Sequence, residues 1–449
     1  MSRWTRWWPW AFLMGWLCSF AGAGLGARFT GDDLMNLHFH LTPSLSQLVL
    51  KNITFWSTEY RPMGGIFYAS IYHLFGFHPL PFRVGCFALI VVNLVLLYRV
   101  CARLSGSREA GLLAALLDGY HAWFVDLYYS TGTVYELLCF AFYVGAFDLY
   151  TGIREKGRTP TGRDWALLLA LYIAALDSKE LAVTLPLALG CYELLWHRQR
   201  KGWMGVCLTG LATIPYVIGK LTGAGSLMEN PAYRPVISLG RYFGTFRLYL
   251  NVIFYSNHFF RPFPSALLIV LMLGAALWLR SRPLLFAWLF ILFSPLPFIF
   301  VPHYSGFFIY LPMLGWTLYV ATALVTARRN LMPRMPEWAL FLAVALVLAP
   351  LHVRESRKTK PLFESASLPT TEAIAGLERA KLALPVGAHV FFDSDPFPAG
   401  GYSLLFLMQE FYRDNTLQIG RAKDGARPDG ERWNAVLEWR NRNWVVGGL

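Results

Sequence analysis

Apolar residues in this chain gather in long uninterrupted runs, with neither the two-residue alternation of a strand nor the regular polar face of a surface helix. The first run extends from Trp7 to about Ala27. Others follow at about 82–104, 109–128, 134–153, 164–178, 181–197, 203–221, 264–280, 284–301, 306–327 and 337–353. Crossing a bilayer takes roughly 17–25 residues of helix, so the pattern predicts eleven transmembrane helices, with 164–178 and 181–197 short or tilted. Arg3 and Arg6 precede the first run as in a signal peptide. That run is long for a signal core and many spans follow, so a retained first helix starting in the cytoplasm is expected. Beyond 353 the apolar residues become intermittent. Ile374, Leu377, Lys381 and Leu384 mark an amphipathic helix over 372–384. His389–Asp393 reads as a strand, Tyr402–Phe411 as a helix and Asn434–Trp444 as a helix or strand. The expected fold is an all-α polytopic membrane bundle, residues 1–353, followed by a small α/β domain, residues 354–449.

Composition and charge sharpen this picture. The 449 residues are 55% hydrophobic, 16% aromatic and 15% charged, against roughly 25% charged for soluble domains; both a cytosolic enzyme and a disordered chain are excluded. The net charge of +13 is unevenly placed. Residues 354–449 hold 13 basic and 12 acidic residues, whereas 1–353 hold 27 and 15. Threading the spans from a cytoplasmic start puts 17 of those 27 basic residues into short inner segments, including Arg99, Arg103 and Arg108, then Arg328, Arg329 and Arg334. This is a positive-inside bias, and an odd number of spans places the tail outside. No continuous basic stripe suits nucleic acid. The six cysteines lie in or beside apolar runs without the paired spacing of disulfides or zinc sites.

Candidate chemistry sits in the outer segments. Asp32 and Asp33 adjoin in Gly31-Asp32-Asp33-Leu34-Met35-Asn36 at the mouth of the first span, where adjacent acids are costly unless solvated, paired, or used on a cation or a hydroxyl. Glu59-Tyr60-Arg61-Pro62-Met63 leads into the aromatic stretch Phe67–Phe75, read as an interfacial helix with Tyr68 and Tyr72 at headgroup depth. Arg61 can fork two donors onto a phosphate or snorkel to headgroups. Asp177-Ser178-Lys179-Glu180 joins two runs with almost no loop; a buried Lys and Glu there imply an ion pair or a ligand. Glu136 beside Tyr129-Ser130-Thr131, His303-Tyr304 before Ile309-Tyr310-Leu311-Pro312, the acids Asp118 and Asp126, and Arg234, Arg241 and Arg247 complete the candidates.

The order of these motifs resembles the GT-C membrane glycosyltransferases, in particular the protein O-mannosyltransferase and tetratricopeptide-associated O-mannosyltransferase branch and its bacterial relatives. The resemblance covers about residues 1–330. The tail shows no 34-residue repeat, and the late motif has His303 nearby but lacks the Arg expected before Tyr-Leu-Pro. The resemblance implies a multi-pass protein of a bacterial inner membrane. There it would transfer a sugar, with inversion, from a polyprenyl-phosphate carrier to a protein, lipid or glycan acceptor on the outer face. On that implication Asp32 or Asp33 takes the acceptor proton or holds a divalent cation (Mg or Mn), and Arg61 and Lys179 neutralise the departing lipid phosphate. Glu180 orients Lys179, Glu136 contacts sugar hydroxyls, and Tyr60 and His303 support the site. A flippase for a lipid-linked saccharide would use the same cations with alternating access, but no inverted repeat is visible. A non-catalytic scaffold would tolerate loss of both acids.

Overall fold

The computed structural model describes residues 4–41, 43–57, 61–197, 203–222, 234–256, 258–302, 305–427 and 433–447. It is mostly helical (73%) with a small C-terminal sheet. Together with its family resemblance, the apolar helices make this a multi-pass integral membrane protein. Among the described residues, five helices are long and apolar enough to cross a bilayer: Pro79–Ser105, Val134–Glu155, Trp203–Thr222, Arg282–Ile299 and Glu337–Ala380. A sixth results if the bent pair Trp7–Gly26 and Gly31–Leu41, kinked by 71°, counts as one span. The expected eleven is not matched by this count, and polar residues explain part of the shortfall. The run 109–128 breaks at Asp118-Gly119 into Arg108–Asp118, a turn at Ala122–Phe124 and the short helix Val125–Tyr129. Gly162–Leu176 is a 15-residue helix and Leu185–Tyr192 an eight-residue one.

Several helices run between two chemically different ends. In Val134–Glu155, Glu136 and Arg154 lie at opposite ends, about 27 Å apart at 1.5 Å per residue. The Arg154 end is bound by ion pairs. Arg154 forks onto Glu193 at 2.7 and 2.9 Å, Arg328 onto Glu109 at 2.7 and 2.8 Å, and Arg103 with Arg99 closes on Asp148. Among the described residues, Arg99, Arg103, Arg154, Arg328 and Arg329 of the basic clusters read as inner segments take part in these pairs. Apolar side chains such as Leu211, Ile214, Ile218, Val270 and Leu271 stay exposed between the two ends, as a lipid-facing belt requires.

The tail is attached more intimately than the sequence suggests. Glu337–Ala380 is one 44-residue helix through the expected boundary at 353, with Pro350, Pro361 and Pro369 inside it. Strand β1 (His389–Phe392) pairs in parallel with β2 (Gln418–Arg421) and β3 (Ala435–Arg440), and β3 pairs antiparallel with β4 (Asn443–Gly447). The segment 434–444 is therefore a hairpin rather than a single element. Trp444 Nε1 donates to Ala373 O at 3.0 Å, fixing the sheet to the long helix. The helix Ser403–Tyr412 packs on Gly31–Leu41: Leu404, Leu407 and Met408 are buried, and Phe406 stacks on His38 at 4.1 Å.

Candidate functional site

At the end of the bundle opposite Arg154, a cavity of about 1110 Å³ opens between Gly31–Leu41, Pro62–Phe75, Val134–Glu155 and the turn at 179–180. Its charged wall brings together Asp32, Arg61, Asp126, Glu136, Lys179 and Glu180. Tyr60 and His303 lie outside the described residues.

The two neighbouring aspartates are placed differently. Thr30 and Asp33 form a reciprocal cap: Thr30 N donates to Asp33 Oδ2 at 2.8 Å, and Asp33 N donates to Thr30 Oγ1 at 3.3 Å. This is the capping-box arrangement that closes a helix start. Asp33 is fully buried. Its Oδ1 accepts from Ser130 Oγ (2.9 Å), Thr131 N (2.7 Å), Thr131 Oγ1 (2.7 Å) and Gly132 N (2.8 Å). Its Oδ2 also takes Arg83 Nη2 at 3.0 Å, and Arg83 is itself 1% exposed. Asp33 thereby staples three chain segments and does not line the cavity. Asp32, one position earlier, is exposed and does line it. It sits in the helix's first turn, where the backbone dipole favours negative charge. Asp126 stands across from it, close enough for the two acids to feel each other's charge.

The cations gather on another wall. Arg61 adopts left-handed backbone angles (φ 43°) just before Pro62 opens its helix, a conformation costing about 1 kcal/mol or more in a non-glycine residue. Its Nη2 lies 3.4 Å from Glu180 Oε2, and its guanidinium 5.0 Å from the Tyr135 ring. Gly64 lets the Tyr135 ring lie directly against this helix, since a Cβ there would fall 2.0 Å from the ring. Lys179 Nζ lies 2.6 Å from Glu136 Oε1 and 5.3 Å from both the Phe298 and Phe308 rings. Glu136 thus pairs with Lys179 and Glu180 with Arg61, whereas the resemblance implied that Glu180 orients Lys179. Burial pushes the Lys179 ammonium down and the Arg61 charge pushes it further, with Glu136 and Glu180 opposing. For Glu180, burial pushes the carboxyl up, but Arg61, Lys179 and Lys220 outweigh it and hold it at about 2. Glu136 lies between the walls, within electrostatic reach of both Asp126 and Lys179.

Other expected positions serve the scaffold. Tyr68 is buried inside the protein; its hydroxyl donates to Thr131 O at 2.7 Å. The Tyr72 hydroxyl donates to Glu410 O in the tail at 3.2 Å. Tyr310 accepts from Asn93 Nδ2 at 3.3 Å, and Arg241 donates to Val301 O at 2.6 Å. Asp118 is buried away from the cavity lining. Four participants were missed: Arg83, Lys51, Lys220 and Tyr402, the last three lining the cavity. An arginine inside an apolar run signals a buried partner, so Arg83 was findable. Lys220 and Tyr402 carry no local motif.

Among the described residues no three His, Cys, Asp or Glu side chains converge as a protein cage for a metal ion. Asp32 and Asp126 both line the cavity, and one or two carboxylates are what Mg²⁺ commonly takes from a protein when substrate oxygens and water complete its shell.

Residues 60–218 match the family described as Dolichyl-phosphate-mannose-protein mannosyltransferase. The matched stretch contains Arg61, Asp126, Glu136, Lys179 and Glu180, and it supports a GT-C-like membrane glycosyltransferase of the mannosyltransferase type. No curated protein matches the chain.

Proposed function

We propose that the protein moves a sugar from a polyprenyl-phosphate carrier to an acceptor hydroxyl, inside the cavity that holds Asp32. One observation carries this reading: a carboxylate open to the cavity and a bank of cations share one chamber at one end of a membrane bundle. Basic clusters at the opposite end support an extracytoplasmic chamber by the positive-inside bias.

In this mechanism the acceptor oxygen attacks the anomeric carbon from the face opposite the phosphate. The new C–O bond forms as the bond from the anomeric carbon to the phosphate oxygen breaks, and the configuration inverts. Asp32 takes the hydroxyl proton as general base. The departing polyprenyl phosphate gains negative charge, which Arg61 stabilises directly, and Lys179 adds its field within a poorly solvated wall. Glu180 holds the Arg61 guanidinium in orientation. Glu136 offsets the Lys179 charge and borders the space for the sugar. Asp33 acts only by fixing the Asp32 helix. A divalent ion held by Asp32 and Asp126 would add electrophilic stabilisation of the phosphate.

The test uses the full chain in lipid nanodiscs with radiolabelled polyprenyl-phosphate mannose as donor and, as hydroxyl acceptors, a mixture of mannotriose and a Ser/Thr-containing hexapeptide. Wild type should release polyprenyl phosphate, and Asp32→Asn should slow release by roughly 10²–10⁴-fold, the typical contribution of a general base. Equal release by both proteins overturns the assignment. A flippase would instead move the labelled lipid across the bilayer without cleaving it.

A further inference from the structure

The tail approaches the acidic motif through one segment, residues 395–402, that leaves the end of β1 and enters the helix Ser403–Tyr412. This segment is held unusually firmly. Asp395, fully buried at its side chain, takes Arg421 Nε at 3.0 Å and Nη2 at 2.9 Å. Arg421 continues onto the carbonyls of Phe397 (3.2 Å), Pro398 (2.8 Å) and Gly401 (3.1 Å). Lys423 Nζ adds Asp395 O at 2.7 Å and Phe397 O at 2.8 Å, and Gly400 N donates to Asp424 Oδ1 at 2.8 Å. A loop whose carbonyls are tied to the buried Arg421 and to Lys423 has few alternative conformations, the requirement for presenting a side chain at fixed geometry. The side chain presented is Tyr402. Its ring is 45% exposed and lines the same cavity as Asp32. Ser403 next to it meets the acidic motif at Gly31, where a Cβ would lie 3.1 Å from the Ser403 Oγ.

Phe39, 54% exposed, and Phe363 also line the cavity, and Phe39 and Tyr402 both pack on Phe406, with ring centroids 6.1 and 5.1 Å away. The charged wall of Arg61, Lys179 and Glu180 belongs to other elements. Aromatic faces carry partial negative charge, and the C–H face of a pyranose ring is their complement. One common way to hold an extended peptide is through main-chain hydrogen bonds to an open strand edge. The tail's strands do not line the cavity, which takes side chains from helices and Tyr402 here.

We infer that Tyr402, clamped by Asp395, Arg421 and Lys423 and flanked by Phe39, forms an acceptor subsite for a pyranose ring, so that the tail selects a carbohydrate acceptor. This rests on the transfer reading above and extends it to the acceptor's chemical class.

Binding can be read without turnover. Saturation-transfer NMR on the full chain in nanodiscs, without donor, would compare mannotriose with a Ser/Thr-containing hexapeptide. Wild type should transfer saturation to the ring protons of mannotriose. Tyr402→Ala should lower that transfer at least fivefold, and Tyr402→Phe should keep it within twofold. If Tyr402→Ala lowers the melting temperature, Phe39→Ala carries the same expectation. A mannotriose signal that is absent, or that both alanine variants leave intact, overturns the proposal, as does Tyr402-dependent binding of the peptide instead. Because no donor is present, such a failure counts against the acceptor subsite alone, whereas failure of phosphate release counts against sugar transfer.

Discussion

Replacing each of the two adjacent aspartates by asparagine should produce opposite phenotypes. Asp33 receives six hydrogen bonds, one from the buried Arg83. An asparagine there keeps the shape but loses the charge and turns one acceptor into a donor facing donors. Breaking a buried ion pair on one side costs about 3–5 kcal/mol, because the remaining charge is uncompensated. Each stranded backbone N–H adds a further penalty of about 1–3 kcal/mol before relaxation. Against a typical domain stability of about 5–15 kcal/mol, Asp33→Asn should sharply lower the melting temperature or the yield of folded protein. Asp32 is exposed to the cavity, so Asp32→Asn should cost no more than about 1 kcal/mol, the scale of its helix-dipole interaction, while removing transfer. Thermal unfolding in nanodiscs and polyprenyl-phosphate release would be measured on the same preparations. A stable, inactive Asp33→Asn together with an active Asp32→Asn would refute the division of roles.

Three further outcomes follow from the same coordinates. Lys179→Met should strand Glu136 and destabilise by about 3–5 kcal/mol; adding Glu136→Gln should recover much of the melting temperature but not turnover, and a double variant no more stable than Lys179→Met would count against the pair. The Glu180 carboxyl sits at about 2 in the folded protein against an ordinary 4.5, so its contribution is present above pH 4.5 and lost as pH falls toward 2. The melting temperature should drop across that window, less steeply in Glu180→Gln, and parallel profiles would exclude this source of acid lability. Gly219→Ala would set a Cβ 1.9 Å from Trp56 O and should cost about 1–3 kcal/mol through forced backbone separation, whereas Gly210→Ala, with open space at that point, should leave the melting temperature within a degree or two.

The membrane class and one candidate cavity wall were readable from sequence because each depends on local patterns. Apolar run length identified membrane helices, and charges in very short turns flagged Lys179 and Glu180. The count of spans was less legible: run length does not show that Asp118-Gly119 halts a helix, nor that Gly162–Leu176 is only 15 residues long. The distinct environments of Asp32 and Asp33 were hidden in adjacency, yet the Thr30-x-x-Asp33 spacing of a capping box was a usable clue to the second. Pairing between distant segments was beyond reach. Whether Lys179 meets Glu136 or Glu180 depends on how helices pack, and Tyr402 reaches the cavity from more than 360 residues beyond Asp32 only through tertiary contact.

At about 1.5 Å per residue, the 44 residues of Glu337–Ala380 make a rod about 66 Å long, roughly twice the hydrocarbon thickness it would need to cross. The C-terminal sheet is therefore welded to a membrane helix. Excision at 353 would cut through the shaft and strip Phe363 from the chamber. Because the Trp444 indole is tied to Ala373 on that rod, any tilt of the shaft against the bilayer would carry the strands with it.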